Sequence, residues 1–225
     1  MELKVIARIR TVFKEKFGIP RQSGLAKTIG KIVFEKEYRR PEALIGLSGY
    51  SHIWLLWEFS ESIREDWSPT VRPPRLGGNK RMGVFATRSP FRPNAIGLSS
   101  VRLLSVEDTA EGKVLVVAGA DILDGTPIYD IKPYLAFTDS HPDAVCGFAD
   151  EVRDYSLEVV IPEELKKGLS DEYIKALVSI LSGDPRPQYK EDGDRVYGMI
   201  YGRYEVKFTV ADGVLSVVEI SRAKA

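Results

Sequence analysis

Between Trp67 and Val106 the chain carries Arg72, Arg75, Lys80, Arg81, Arg88, Arg92 and Arg102 and no aspartate or glutamate. The whole chain balances 32 basic against 32 acidic residues, so this stretch is a local positive field hidden in the average. Its backbone is stiff and irregular, reading PPRLGGN at 73–79 and GVFATRSPFRPN at 83–94. Guanidinium groups on constrained turns suit phosphates and carboxylates, because the planar fork matches two anionic oxygens at once. A second run, Asp121 to Tyr134, follows the apolar segment VLVVAGA and places Asp121, Asp124 and Asp130 where a buried strand meets a glycine turn. Such carboxylates can hold ribose hydroxyls or accept a proton, while Asp124-Gly125 is equally an ordinary turn pair. From Asp121 to Asp154 eight acids face only Lys132 and Arg153, so an acidic region follows the basic one.

Several chemistries are disfavoured. There is no G-x-G-x-x-G after a strand and no G-x-x-x-x-G-K-[ST], which argues against a Rossmann or P-loop nucleotide site. His52 and His141 are the only histidines and Cys146 the only cysteine, too few for a zinc site or a disulfide framework. His52, in an apolar strand, reads as a satisfied core histidine, and Cys146 as a packing residue. The apolar run Ile53 to Trp57 is interrupted by Glu58 and Glu61, well short of the roughly 20 residues a spanning helix needs. With no signal-peptide pattern, the cytoplasm is the expected location. Zero net charge argues against bulk coating of nucleic acid, so any RNA contact should be local and salt-sensitive.

The elements that must position these residues are mostly short strands. Leu3 to Arg10, Lys31 to Glu35, Ser51 to Phe59, Met82 to Ala86, Ile96 to Leu104, Lys113 to Ile122 and Thr126 to Ile131 are predicted as strands from alternation and β-branched content. No helical pattern separates them, which favours a barrel or sandwich over a doubly wound sheet. The character changes near Ile161. Pro162-Glu163-Glu164 opens a helix, Ser170 caps a second one with an apolar face through Leu177 and Leu181, and Gly183 with Pro185 stops it. Arg195 to Tyr201, Glu205 to Val210 and Leu215 to Ile220 read as strands. The expected division is a β domain over residues 1–158 and a small α+β domain over 159–225.

With these residues in view, the chain resembles the TrmO (TsaA-like) family of S-adenosylmethionine-dependent tRNA methyltransferases. The blocks that carry the resemblance are PRQSGL at 20–25, YSHIWLLWEF at 50–59, PTVRPPRLGGN at 69–79, RMGVFATRSPFRPNAIGLS at 81–99, DGTPIYDIKPY at 124–134 and DPRPQY at 184–189. The resemblance implies a mainly β fold, a compact antiparallel β-barrel that binds S-adenosylmethionine without a Rossmann sheet and works as a homodimer. It implies methyl transfer to N6 of threonylcarbamoyladenosine at position 37, next to the anticodon. Positions matching the family's cofactor pocket are Ser23, Gly24, Leu25, Glu61, Ser62, Arg88, Leu98 and the strand Ala118, Gly119, Ala120 and Asp121.

Such a transfer needs positioning and a proton acceptor, with no metal and no covalent nucleophile. Asp124, Asp130 and Tyr134 are the candidate bases. Arg88 or Arg92 can pair with the threonyl carboxylate. Arg72, Arg75, Lys80 and Arg186 are expected to meet anticodon-loop phosphates, and Tyr189 to stack on an unpaired base. Two other readings compete: a non-catalytic RNA-binding barrel, and a methyltransferase of this fold with another acceptor.

Overall fold

The structure is a computed structural model that describes residues 2–76, 80–186 and 195–223. In chain order the strands are β1 (Ala7–Arg10), β2 (Ile29–Phe34), β3 (His52–Glu58), β4 (Thr70–Val71), β5 (Met82–Gly83), β6 (Ile96–Thr109), β7 (Gly112–Ala118), β8 (Pro127–Pro133), β9 (Glu158–Val160), β10 (Tyr197–Tyr201), β11 (Tyr204–Ala211) and β12 (Val214–Arg222). The α-helices are α1 (Ala136–Asp139), α2 (Glu163–Lys166) and α3 (Asp171–Leu181).

Six strands form a closed ring in the order β1-β2-β7-β6-β3-β8, and β8 returns to β1. Every pairing around the ring is antiparallel. The period-2 side-chain alternation of strands explains the inside. On β3, Ile53, Leu55 and Trp57 turn inward, and they meet Ala7, Ile9, Ile32, Val101, Leu103, Leu115, Val117 and Ile128. Burying one such Ile or Leu side chain is worth about 1.5–3 kcal/mol, so this apolar interior is the main stabilising element of the ring. The outward phase of β3 carries His52, Trp54, Leu56 and Glu58.

The C-terminal part is dominated by the sheet β10-β11-β12-β9. Against it lies α3, whose Ala176, Leu177, Ile180 and Leu181 are buried with Met199, Phe208, Leu215 and Val217. Ser170 caps α3 by accepting the Tyr173 amide at 3.2 Å, as expected. Phe13 and Ala26 from the N-terminal half are buried in this second core, with Val12, Phe17 and Ile19 packed against it. Gly18 permits the approach: its φ is +90°, and a Cβ there would sit 2.6 Å from Met199 Cε.

Some expected elements differ. The first strand begins at Ala7 rather than Leu3, and the Met82 segment is a two-residue strand followed by a 3-10 turn at Val84–Ala86. The Lys113 strand ends at Ala118, because Gly119 (φ +81°) turns the chain. β9, which pairs in parallel with β12, was not expected.

Candidate active site and adjoining basic cleft

Two clefts meet beside the segment Pro20 to Leu25. The smaller, about 1050 Å³, runs over the rim of the ring and down the outer faces of β3 and β6. It gathers Ser23, Glu61, Ser62, Arg88, Leu98 and Asp121, residues scattered across about a hundred positions of sequence. Gly24 is held next to it, its amide donating to the Gly119 carbonyl at 2.8 Å. The approach is close enough that a Cβ on Gly119 would lie 3.1 Å from Gly24 Cα, so glycine is required there on both steric and φ grounds. Ala118, Gly119 and Ala120, expected in the cofactor pocket, line neither cleft, and Leu25 faces the larger one.

Asp121 is the acid of the smaller cleft whose carboxyl pKa is raised. Burial pushes its carboxyl above the usual range, and the Ser99 hydroxyl, the Ser23 amide and the Arg88 charge pull the other way without cancelling it. Ser99 Oγ donates to Asp121 Oδ1 at 2.7 Å and accepts from Trp57 Nε1 at 3.0 Å, a chain that fixes the carboxylate from inside the ring. Arg88 donates to the Gln22 side-chain carbonyl, bridging the arginine loop and the Ser23 segment.

At the other end of this cleft stand His52, Trp54 and Tyr134. The Tyr134 ring lies 5.5 Å from Trp54 and 6.2 Å from His52, centroid to centroid. Trp54 Nε1 donates to Asp139 Oδ2 at 2.8 Å, and that bond, after the stronger one from the Leu135 amide, lowers the Asp139 pKa. His52 is therefore not a core histidine: it is exposed, lines the cleft, and has Ser51 Oγ 2.9 Å from Nδ1. Glu58 also lines the cleft and accepts from Tyr129 at 2.5 Å; burial and then this bond push the Tyr129 phenol up to about 12.

Of the three candidate bases, only Tyr134 lines the cleft. Asp124 accepts the Thr11 amide at 2.8 Å and pairs with Lys14 at 2.5 Å, fastening the β8 turn to the chain after β1. Asp130 pairs with Lys132 and accepts its own neighbour's amide from Ile131. Both carboxylates are engaged in holding local backbone.

The larger cleft, about 1540 Å³, shares Gln22, Ser62, Thr87, Arg88, Pro90 and Arg92 with the smaller one. Lys16, Arg21, Arg64, Arg72, Arg81, Arg88, Arg92 and Arg186 line it, against Asp66 and Asp184 alone among the described acids. Asp184 is fully buried and paired with Arg186 at 2.9 Å, so it does little to offset the field. Arg92 reaches both clefts, but its Nη1 donates to the carbonyls of Val84 and Thr87 at 3.2 and 2.8 Å and so ties its own loop. Lys80 is exposed outside the lining, and Arg102 lies on β6 opposite His52. Tyr189 and the Arg75 side chain lie outside the described residues. Cys146 is exposed on the larger cleft, not packed. Among the described residues no helix is long and apolar enough to cross a membrane.

A family model described as the tRNA-methyltransferase O N-terminal domain matches residues 8–140, and one for the TrmO C-terminal domain matches residues 154–223. A protein of Escherichia coli (strain K12) named tRNA (adenine(37)-N6)-methyltransferase is 40% identical over 225 aligned positions, covering 96% of each chain. A protein of the same name from Eikenella corrodens is 46% identical over 166 positions, 73% of this chain and 93% of that one. The crystal structure of TrmO from Pseudomonas aeruginosa superposes with a TM-score of 0.78 at 32% identity, covering 98% of both chains. With both family models in sequence order and a solved structure matching from end to end, the chain belongs to the TrmO family.

Proposed function

We propose that this protein transfers a methyl group from S-adenosylmethionine to N6 of adenosine 37 in tRNA, and that its acceptor is the threonylcarbamoyl form of that nucleoside. The names and coverage of the bacterial relatives support the reaction. One observation carries the reading to residues: a cleft that combines Ser23, Arg88, Leu98 and Asp121 opens directly into a cation-lined groove.

The smaller cleft fits the donor by its chemistry. A sulfonium cation is matched by carboxylates at Asp121, Glu58 and Glu61, and a nucleoside's flat apolar face by Leu98 and Ile96. The Gly24–Gly119 contact leaves backbone rather than side chains at the wall. When bound, S-adenosylmethionine supplies the methyl group. The chain's own residues supply orientation and a proton acceptor, since the acceptor amine loses a proton as its bond to carbon forms. Tyr134, Asp121, Glu58 and His52 are among the groups in the cleft able to receive or relay that proton. Arg88, exposed and hydrogen-bonded to the Gln22 side chain, is available to the threonyl carboxylate, whereas Arg92 is engaged with backbone. Arg72 on the larger cleft and the exposed Lys80 meet tRNA phosphates in this reading, whereas the Arg186 guanidinium is committed to the buried Asp184. A cytoplasmic homodimer belongs to the same reading, and light scattering of the purified chain measures its mass.

The test is mass analysis of nucleosides after incubating purified protein with S-adenosylmethionine and tRNA that carries or lacks the threonylcarbamoyl group. A methylated product on the modified tRNA alone is expected, and Arg88→Ala should lose that selectivity. Equal activity of wild type on both tRNAs rejects the carboxylate reading. No affinity for the donor by calorimetry would leave an RNA-binding barrel instead.

A further inference from the structure

Three aromatic side chains stand out of the basic loop into the larger cleft. Trp67 is 50% exposed, Phe85 71% and Phe91 36%. Large aromatic surfaces left in water on a soluble chain mark an interaction site when they cluster. These do: the Trp67 and Phe85 rings are 6.0 Å apart, Arg64 lies over Phe91 at 3.9 Å, and Arg92 lies 5.8 Å from the Phe85 centroid.

The backbone beneath them is fixed. Phe85 is the middle residue of the 3-10 turn Val84–Ala86, whose Val84 side chain is 1% exposed. The Val84 amide donates to Pro69 O at 2.9 Å, and the Val84 carbonyl accepts from the Thr87 amide, the Thr87 hydroxyl and Arg92. The β4–β5 pair joins Thr70 to Gly83, the residue immediately before the same turn. Phe85 is therefore presented to solvent on an anchored support, with little ordering cost left for a ligand.

We propose that Trp67, Phe85 and Phe91 form a stacking platform for unpaired nucleobases flanking the target adenosine. The proposal rests on the methyltransferase reading above. Planar apolar faces interleaved with Arg64, Arg72 and Arg81 match a single-stranded polyanion with stackable bases, whereas a second protein surface would have to supply acids for each arginine. The platform and the donor cleft share the wall at Thr87, Arg88 and Pro90, so bases held on one side leave their neighbour at the entrance to the other.

Binding of an anticodon stem-loop RNA, measured across a salt series, separates stacking from phosphate contacts. Trp67→Ala and Phe85→Ala are expected to weaken binding roughly ten- to a hundredfold each without changing the slope of log K against log salt. Arg72→Ala, by contrast, should reduce that slope by about one. Phe85→Trp should retain affinity and Phe85→Leu should not, and 2-aminopurine placed beside the target position should be quenched by wild type but not by Phe85→Ala. Calorimetry with S-adenosylmethionine should be unchanged in every aromatic variant, and circular dichroism melting shows which variants are folded. Affinity within twofold of wild type in both folded alanine variants overturns the proposal. So does full rescue by leucine, or a wild-type dimer that dissociates on Phe85→Ala, which would make the patch a subunit contact. Absence of donor binding in wild type would instead fail the underlying methyltransferase reading.

Discussion

Arg21 Nη2 donates to the backbone carbonyl of Asp184 at 3.1 Å, and the same nitrogen reaches the Arg186 carbonyl at 3.2 Å. Arg21 is the neighbour of Gln22 and Ser23, which face the smaller cleft, while Asp184 ends the helical segment of the C-terminal part. A second tie runs from the Lys27 amide to Ser179 Oγ on α3 at 3.2 Å. The C-terminal part thus grips both ends of the segment whose middle touches Gly119 and Asp121.

Removing the first tie should be felt at the smaller cleft, the proposed donor site. Hydrogen bonds from a charged donor contribute about 1.5–3 kcal/mol. Some of that is returned by water when the partners are only part-buried. Arg21→Ala is expected to weaken S-adenosylmethionine binding by about tenfold, close to 1.4 kcal/mol, with the circular dichroism spectrum intact. A variant that melts earlier yet binds the donor as wild type would show that Arg21 serves stability alone.

Asp184 should control acid stability. Burial opposes its ionisation, but the Arg186 fork at 2.9 and 3.0 Å and the Tyr155 hydroxyl at 2.8 Å prevail and hold its carboxyl below the usual range. A depressed folded pKa gives stability that is fully present above the unfolded value of about 3.9 and is lost as pH falls through the folded value. Asp184→Ala leaves Arg186 unpaired and is expected to cost roughly 3–5 kcal/mol at pH 7. Urea unfolding between pH 6 and 2 should show wild type converging on the variant in acid; parallel curves would remove Asp184 from the acid response.

Much of the architecture is legible from local pattern, and the failures share a cause. The strand at His52–Glu58 and the helix capped by Ser170 follow from period and capping, which are properties of neighbouring residues. β9 depends on a parallel partner more than fifty residues away, and three residues carry too little pattern to reveal that. His52 was misread because HIWLLW is apolar on both phases, so only the closed ring decides that Ile53, Leu55 and Trp57 go inside. Ser23, Arg88, Leu98 and Asp121 were named through the family resemblance, and folding brings them to one cleft. Asp124 belongs to an equally distinctive block, but Thr11 and Lys14, invisible from its own sequence neighbourhood, use its carboxylate for a turn. The three exposed aromatics had a signal in plain view: Trp67, Phe85 and Phe91 are interspersed with the arginines of the acid-free stretch.

Gly97 is the steric floor of the Trp57–Ser99–Asp121 chain. A Cβ there would collide with the six-membered part of the Trp57 indole, and Trp57 is only 6% exposed. Overpacking of this kind costs about 1–3 kcal/mol. Gly97→Ala should lower the melting temperature and also the donor affinity, because the indole that orients Ser99 must tilt. Trp57→Phe, which removes Nε1 without adding bulk, separates the two effects: donor affinity should fall with little steric strain. Normal donor binding in both variants would disconnect the ring interior from the cleft.

Asp121 sets stability against activity. Its raised pKa means that ionisation at neutral pH works against the fold: the stability it contributes is present below the unfolded value of about 3.9 and is lost as pH rises through the higher folded value. Asp121→Asn keeps an oxygen for Ser99 and for the Ser23 amide while removing the charge. The donor-free variant is therefore expected to melt at or above wild type at pH 7, with the gap closing towards pH 4. Methyl transfer should fall in the same variant, by about a hundredfold or more where the carboxylate receives the proton. The wild-type rate should climb with pH through a value above that of an ordinary aspartate. Differential scanning calorimetry and a pH–rate profile measure the two halves independently. A less stable Asn variant at pH 7 would mean that the Ser99 and Ser23 bonds outweigh burial, and an unchanged rate would pass the proton-accepting role to Tyr134, Glu58 or His52.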